Sequence, residues 1–466
     1  MDIKEALLKL PSFERYAVAC SGGADSLALL HAASICFGPE RVAALHFDHG
    51  IRGDESAEDA AFCEKFANDL GVKFFLGKAE AGLLADPPKG ENQEALARKL
   101  RYQWFAEVCE KENIPCLLTA HHADDVAETM LMHLMRGSGL KGLAGLNESA
   151  KISELFKDIA CDLTVCRPLL ELRAKDCVDY CLEHKLAYRT DSTNSDQSYL
   201  RNWLRHEIIP KLRERAGGDL TLKFRRTAIQ LGEQREFIRE AALDFLRRNA
   251  LRAAFGTIVD TSAFLDAKPA LQREVLRILA AEEENWDFET LDKVLNCLKD
   301  GTEPAFQPAG GVRWLSVSEK IVFYNEQTSL KDFFQSALKI KNAEDRGRGY
   351  SDNGAGWLAW LKGEAVTYRE YLRADEYMTG FFSNGLRYAP TNGPERKAGD
   401  MMTDAKIPLF LRKEIPILFS KDSPAWIAGW RIAKSAAVGE GDGIVEATLE
   451  LPSARPWNGN NGGDVC

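Results

Sequence analysis

The sequence predicts an α/β protein: an N-terminal doubly wound parallel sheet, a helical middle domain and a small α+β C-terminal domain. Three observations carry this. Up to about residue 190, apolar runs alternate with helical patterns, the order that builds a parallel sheet with helices on both faces. Polar clusters follow three of those runs, where ligands sit in open α/β sheets. The 466 residues also exceed one ordinary core, so two to four domains are expected at roughly 100–200 residues each.

The first strand is predicted over residues 16–20, before the turn Ser21-Gly22-Gly23-Ala24-Asp25-Ser26 and a helix from residue 27. Further strands are predicted over 42–47, 73–76 and 116–119, with helices over 55–70 and 92–112 between them. Long helical runs, 220–249 and 270–281, mark the middle. Apolar runs at 415–419 and 425–429, punctuated by Pro and Gly, read as short strands. The expected domains are 1–215 (catalytic), 216–330 (helical, tRNA-binding), 331–370 (linker or insert) and 371–450 (α+β, tRNA-binding). A disordered tail is expected over 451–466, and a flexible loop over 345–356.

No run of about 18 apolar residues is present, so no membrane span is expected. The N-terminus is charged and helix-like, without a signal peptide, and the eleven cysteines are scattered. Both features suit a cytoplasmic protein with reduced thiols. The net charge of −10 argues against a uniformly basic nucleic-acid binder but leaves room for local basic surfaces. One such stretch runs from Arg201 to Arg226, which read alone is a solvated helical face.

Strand, Gly-rich turn and helix is a phosphate-binding geometry, because glycines admit the anion and helix-start amides point at it. Ser21, Gly22, Gly23, Ala24, Asp25 and Ser26 are therefore candidate ATP ligands, with Asp25 a candidate for a magnesium ion. The loop is neither a Walker A motif nor a dinucleotide fingerprint. Asp48 and His49 end the second strand, and His121 and His122 end the fourth. On the helix that follows, Asp124, Asp125 and Glu128 lie three and four residues apart and share a face. Carboxylates that close need a cation: a magnesium ion or a ligand ammonium group. Helix capping by Asp124 is the plainer alternative. Arg98 would pair with Glu94 or neutralise a ligand anion. Arg136 offers positive charge at the end of that helix, and Gly137 is its expected C-cap.

Taken together, these motifs resemble a known family. S-G-G-A-D-S resembles the PP-loop of ATP pyrophosphatases. It is followed in order by H-F-D-H-G-I-R, A-R-K-L-R-Y, A-H-H-A-D-D-V-A-E-T and M-R-G-S-G-L-K-G-L. Then come R-P-L-L at 167–170, D-S-T-N at 191–194 and R-N-W-L-R-H-E-I-I-P at 201–210. The series closely resembles the tRNA(Ile)-lysidine synthetases over about residues 13–215, and again near 406–429. Ser192 departs from the family's usual proline, and 340–375 matches no pattern of the family.

The resemblance implies a ligase that uses ATP and Mg2+. ATP would adenylate the 2-oxo group of the wobble cytidine in isoleucine tRNA with a CAU anticodon. The ε-amine of free L-lysine would then displace AMP and leave lysidine. It implies catalytic roles among Asp25, Asp48, His49, Arg98, His121, Asp124, Asp125 and Glu128, with Arg136 and Gly137 at the ATP. Asp124, Asp125 and Glu128 would bind lysine. Arg201, Asn202, Arg205 and Arg412 would contact tRNA, with closing of the site as the alternative role of the first three. A homodimer is allowed but not specified. Two rivals remain: a PP-loop tRNA thiolase and a non-catalytic tRNA-binding protein. The chain has no C-x-x-C pair, which disfavours the thiolase; Cys161, Cys166, Cys177 and Cys181 read as packing positions before a zinc site.

Overall fold

The computed structural model describes the chain except residues 1, 51–53, 81–92, 157, 190–199, 217–218, 281–285, 303–311, 326–328, 346, 348 and 459–466. The expected motif at 191–194, with Ser192, and Ile51 and Arg52 of the second strand end lie outside the described residues. The chain divides into two compact units, Met1–Arg235 and Glu236–Cys466.

The first unit begins with helix α1 (Ile3–Leu8), strand β1 (Tyr16–Ala19) and helix α2 (Ala24–Phe37). Next come β2 (Val42–Asp48), α3 (Asp54–Asp69), β3 (Lys73–Lys78), α4 (Gln93–Lys111), β4 (Cys116–Leu118) and α5 (Ala123–Met135). The order continues with α6 (Leu140–Leu143), β5 (Ser149–Lys151), α7 (Ile152–Leu155), β6 (Thr164–Cys166) and α8 (Ala174–Glu183). Three helices follow: α9 (Leu200–Trp203), α10 (Ile209–Ala216) and α11 (Leu220–Asn249), which crosses the division.

The sheet order is β3-β2-β1-β4-β6-β5. All pairs are parallel except β5 with β6. The expected doubly wound sheet is present, and its strand order reverses between β1 and β4. Alternation along β1 shows the two faces. Tyr16 and Val18 pack with Leu27, Leu30, Cys177 and Cys181 from α2 and α8. Ala17 packs on the other side with Tyr102 and Phe105 of α4. Each large side chain so buried contributes about 1.5–3 kcal/mol. This rigid sheet fixes where its polar strand ends converge.

In the second unit the helices Thr261–Asp266, Pro269–Leu279 and Phe288–Asp300 bear out the helical reading of the middle. The same region also carries antiparallel strands, Ala250–Ala253, Gly256–Asp260, Val312–Val317 and Lys320–Asn325, which the sequence reading did not anticipate. Residues 331–370, read as a linker or insert, contain Lys331–Ala337, Leu338–Ala343, Ala355–Leu361 and the start of Val366–Arg373. Phe334, Trp357, Trp360 and Tyr368 from this stretch are buried in the core with Trp426, so their apolar surface ties the segment down. The described part of the expected disordered tail is also ordered. Arg455–Pro456 pairs with Ala250–Ala253, and Trp457 is buried beside Ala250 and Phe323. The short strands expected near the C-terminal end are present as Pro416–Ser420 and Ser423–Ile427, which with Tyr377–Phe381 form an antiparallel sheet.

Candidate active site

A cleft of about 740 Å³ opens at the carboxyl ends of β1, β2 and β4, beside the reversal in strand order. Ser21, Asp25 and Ser26 line it after β1; His46, Asp48 and His49 at β2; His121 after β4. The three polar clusters thus meet in one place, as their position after the strands requires.

The loop after β1 is held by its own hydroxyls. Ser26 Oγ donates to Gly23 O (3.0 Å) and accepts from Ser21 N (3.1 Å). Gly23 is the N-cap of α2, and no side chain caps that end, so its amides face an incoming anion. Ala24 is the first helical residue. Gly22 has φ +86°, and a Cβ there would lie 3.3 Å from Cys63 Sγ. Gly22→Ala is expected to destabilise the protein by about 1–2 kcal/mol through this left-handed backbone. Urea denaturation checks it; an unchanged midpoint would show that the loop relaxes freely.

Helix α5 carries the acidic cluster. His122 is its N-cap, and Asp125 Oδ2 accepts from His122 N (2.9 Å). Asp125 and Glu128 are buried, Glu128 completely. Two arginines neutralise them. Arg201 Nε donates to Glu128 Oε2 and Arg201 Nη2 to Asp125 Oδ1, both at 2.7 Å. Arg205 Nε donates to Glu128 Oε1 (2.6 Å), and its Nη2 to Glu128 Oε2 (3.1 Å). The turn Leu204–Ile208 between α9 and α10 is a π-helix, a rare geometry that recurs at functional sites. Asp124 has other partners: its Oδ2 accepts from Ala174 N (2.8 Å) and its Oδ1 from Arg213 Nη2 (3.0 Å). The expected shared face therefore holds for Asp125 and Glu128, while Asp124 anchors α8 and α10.

A second cavity of about 420 Å³ lies across this cluster. Asp124, Glu128, Arg173, Lys175, Arg205 and Arg213 contribute to its walls. Asp25 lines both cavities.

The two histidines differ. Burial, reinforced by Arg167, Arg98 and Arg201, pushes His121 down to about 3, against the pull of Asp125. It is a neutral imidazole whose Nδ1 lies 2.9 Å from Thr119 Oγ1. His122 is the more deeply buried of the two, yet Asp125, Asp25 and Asp124 outweigh burial and raise it to about 9. Its Nε2 is 3.6 Å from Asp25 Oδ2, and its Nδ1 is 3.5 Å from Asp125 Oδ2. The folded value lies above the ordinary 6.5, so the contribution is complete below about pH 6.5 and lost as pH rises through about 9. The expected loss is on the order of 3 kcal/mol over that window. His122→Gln should flatten this part of the pH–stability curve, measured by urea midpoints; an equally steep fall in the variant would contradict it.

Other sequence expectations need revision. Arg98 lies over the Tyr102 ring at 4.9 Å, and Arg101, one helical turn on, lines the cleft instead. Arg136 and Asn202 do line it. Gly137, at φ +72°, ends α5 one residue beyond its C-cap and turns the chain away. Arg201 and Arg205, expected at tRNA, turn onto Asp125 and Glu128, because buried carboxylates demand counterions. Arg412, also expected at tRNA, donates to Ile407 O (2.8 Å) and Thr403 Oγ1 (2.9 Å) within its own unit. Among the described residues, no group of three His, Cys, Asp or Glu is arranged to hold a metal. Asp25 and Asp48 nevertheless present hard oxygen ligands to the cleft, and magnesium needs only one or two carboxylates beside phosphate oxygens. No described helix is long and apolar enough to cross a membrane.

A phosphate loop at the switch point of a parallel sheet, facing acidic and basic strand ends, defines a nucleotide-binding PP-loop protein. Residues 2–212 match a PP-loop domain, and residues 380–447 match the TilS substrate C-terminal domain. The tRNA(Ile)-lysidine synthase of Clostridium tetani is 28% identical over 454 residues, covering 91% of this chain and 92% of that protein. That of Nitrosomonas europaea is 28% identical over 457 residues, covering 93% and 92%. That of Porphyromonas gingivalis reaches 39% over 236 residues, 51% of this chain and 48% of its own length. The chain belongs to the tRNA(Ile)-lysidine synthase family.

Proposed function

We infer that this chain uses ATP to join L-lysine to the wobble cytidine of isoleucine tRNA with a CAU anticodon. The observation that carries the reading is the meeting at Asp25 of a phosphate-loop cleft and a second, charge-lined cavity. An adenylation followed by amine attack needs both: one compartment for ATP and base, another for an amino acid.

In the larger cleft, the Ser21–Ser26 loop and the start of α2 would hold the pyrophosphate leaving group. Arg101 and Arg136 add positive charge where the α-phosphate would pass to the 2-oxo oxygen. Asp25 and Asp48 would hold Mg2+, which supplies charge neutralisation to the triphosphate when bound. The cytidine lies in an anticodon loop, so it can enter a cleft without opening a duplex. Lysine fits the second cavity by charge: Arg173, Lys175 or Arg213 for its carboxylate, the acidic cluster for its ammonium groups. The attacking amine, with a solution pKa near 10.4, must lose a proton before it attacks. His121 lines the cleft as a neutral imidazole, but a group held down to about 3 is too weak a base to take that proton, which passes instead to water in the open cleft. Loss of AMP then leaves the lysine on carbon 2.

Lys211, Arg215 and Arg226 are exposed on α10 and α11, Lys211 in a surface pair with Glu207 (2.8 Å), and they replace the arginines that answer buried carboxylates as the expected RNA face of this unit. Reversing all three charges should weaken tRNA binding at least tenfold and lower its salt dependence. Filter binding across salt concentrations measures this; unchanged affinity removes the assignment. The function itself is tested with labelled lysine, ATP and an isoleucine tRNA transcript. Expected is one lysine per tRNA with equal pyrophosphate and AMP. No incorporation, or transfer of sulfur instead, overturns the reading.

A further inference from the structure

We propose that Arg201 and Arg205 are exchangeable counterions of a primary-ammonium site built by Asp125 and Glu128, and that they move aside when the substrate amine arrives. This rests on the lysine-ligation reading above.

The geometry makes the exchange necessary. Every carboxylate oxygen of Glu128 already accepts from a guanidinium, and Glu128 is fully buried. Asp125 Oδ1 is taken by Arg201, and Asp125 Oδ2 caps α5. Asp25, Asp124, Asp125 and Glu128 face Arg201, Arg205, Arg213 and the His122 imidazolium, so the cluster as a whole is balanced, and a further cation on it would be repelled. An amine that uses this pair must therefore displace an arginine.

The arginines can leave. Both side chains are 36% exposed, so each has a route to water, while Glu128 has none. They ride on the segment interrupted by the π-turn Leu204–Ile208. Their placement also divides the two cavities. Arg201 lines the larger, and Arg205 and Glu128 line the smaller. Swinging them out would join the amino-acid compartment to the base compartment.

The test is lysine binding to the full-length enzyme, measured by equilibrium dialysis with and without ATP and tRNA. Arg205→Gln is expected to bind lysine at least fivefold more tightly than the wild type in the free enzyme. Norleucine, which lacks the ε-amine, should bind both alike. Arg205→Lys, which keeps a competing cation, should resemble the wild type. If Arg205→Gln does not fold, Arg201→Gln carries the same expectation. Lysine affinity unchanged or weakened by removing the arginine overturns the exchange while leaving the function intact. A wild type that never binds lysine, even with ATP and tRNA, overturns the lysine reading and the exchange with it.

Discussion

Asp25→Ala is expected to abolish adenylation, lowering ATP–pyrophosphate exchange by about 10²–10³-fold or more. Asp25 sits in the first turn of α2, beside the amides that would hold phosphate, and it is the residue common to both cavities. Its carboxylate also lies 3.6 Å from His122 Nε2. Removing it therefore loosens the phosphate loop's surroundings and takes one counterion from a buried imidazolium. The RNA-facing residues proposed above are elsewhere, so tRNA affinity should change less than twofold. Exchange kinetics and filter binding on one preparation separate the effects. Retained exchange would remove Asp25 from the chemistry; a parallel loss of tRNA binding would point to misfolding.

Glu128→Ala should be the most damaging single change in the acidic cluster. It leaves two guanidiniums without their main acceptor. Breaking a buried pair costs about 3–5 kcal/mol, and the partial exposure of both arginines places the expected loss nearer 2 kcal/mol. Lysine use should fail while ATP–pyrophosphate exchange falls far less. Thermal denaturation and the two half-reactions measure it. Equal loss of both half-reactions would refute the amine role, and unchanged stability would refute the counterion role.

The apolar runs at 16–20, 42–47, 73–76 and 116–119 were readable because central parallel strands are buried on both faces. Strands β5 and β6 were not: β5 is an edge strand with two of its three residues exposed, and β6 opens on Thr164, so neither makes an apolar run. The motif A-R-K-L-R-Y pointed to the helix that lines the cleft, where Arg101 rather than Arg98 reaches the wall. Arg98 and Arg101 are one turn apart, and only the helix's rotation on the sheet decides which meets the cleft. The acidic residues were legible as a cluster because helical spacing is local. Their partners were not: Arg201 and Glu128 are 73 positions apart, and no local pattern reports such a pairing. The internal partners of several arginines in the basic stretch at 201–226 were hidden for the same reason. Arg201, Arg205, Arg213 and Arg225 all answer carboxylates within the unit. The net charge of −10 thus understates how few of the basic groups remain to face a polyanion.

The short pairing of Arg455–Pro456 with Ala250–Ala253, with Trp457 buried beside it, bears on how the second unit can be cut. The matched C-terminal domain ends at 447, which invites truncation just beyond it. Such a fragment would bare the edge of a sheet and empty a tryptophan's place in a core some 200 residues upstream in sequence. An exposed strand edge is a template for aggregation. Expression of the C-terminal half therefore calls for a boundary after Trp457, and an affinity tag is best joined beyond it.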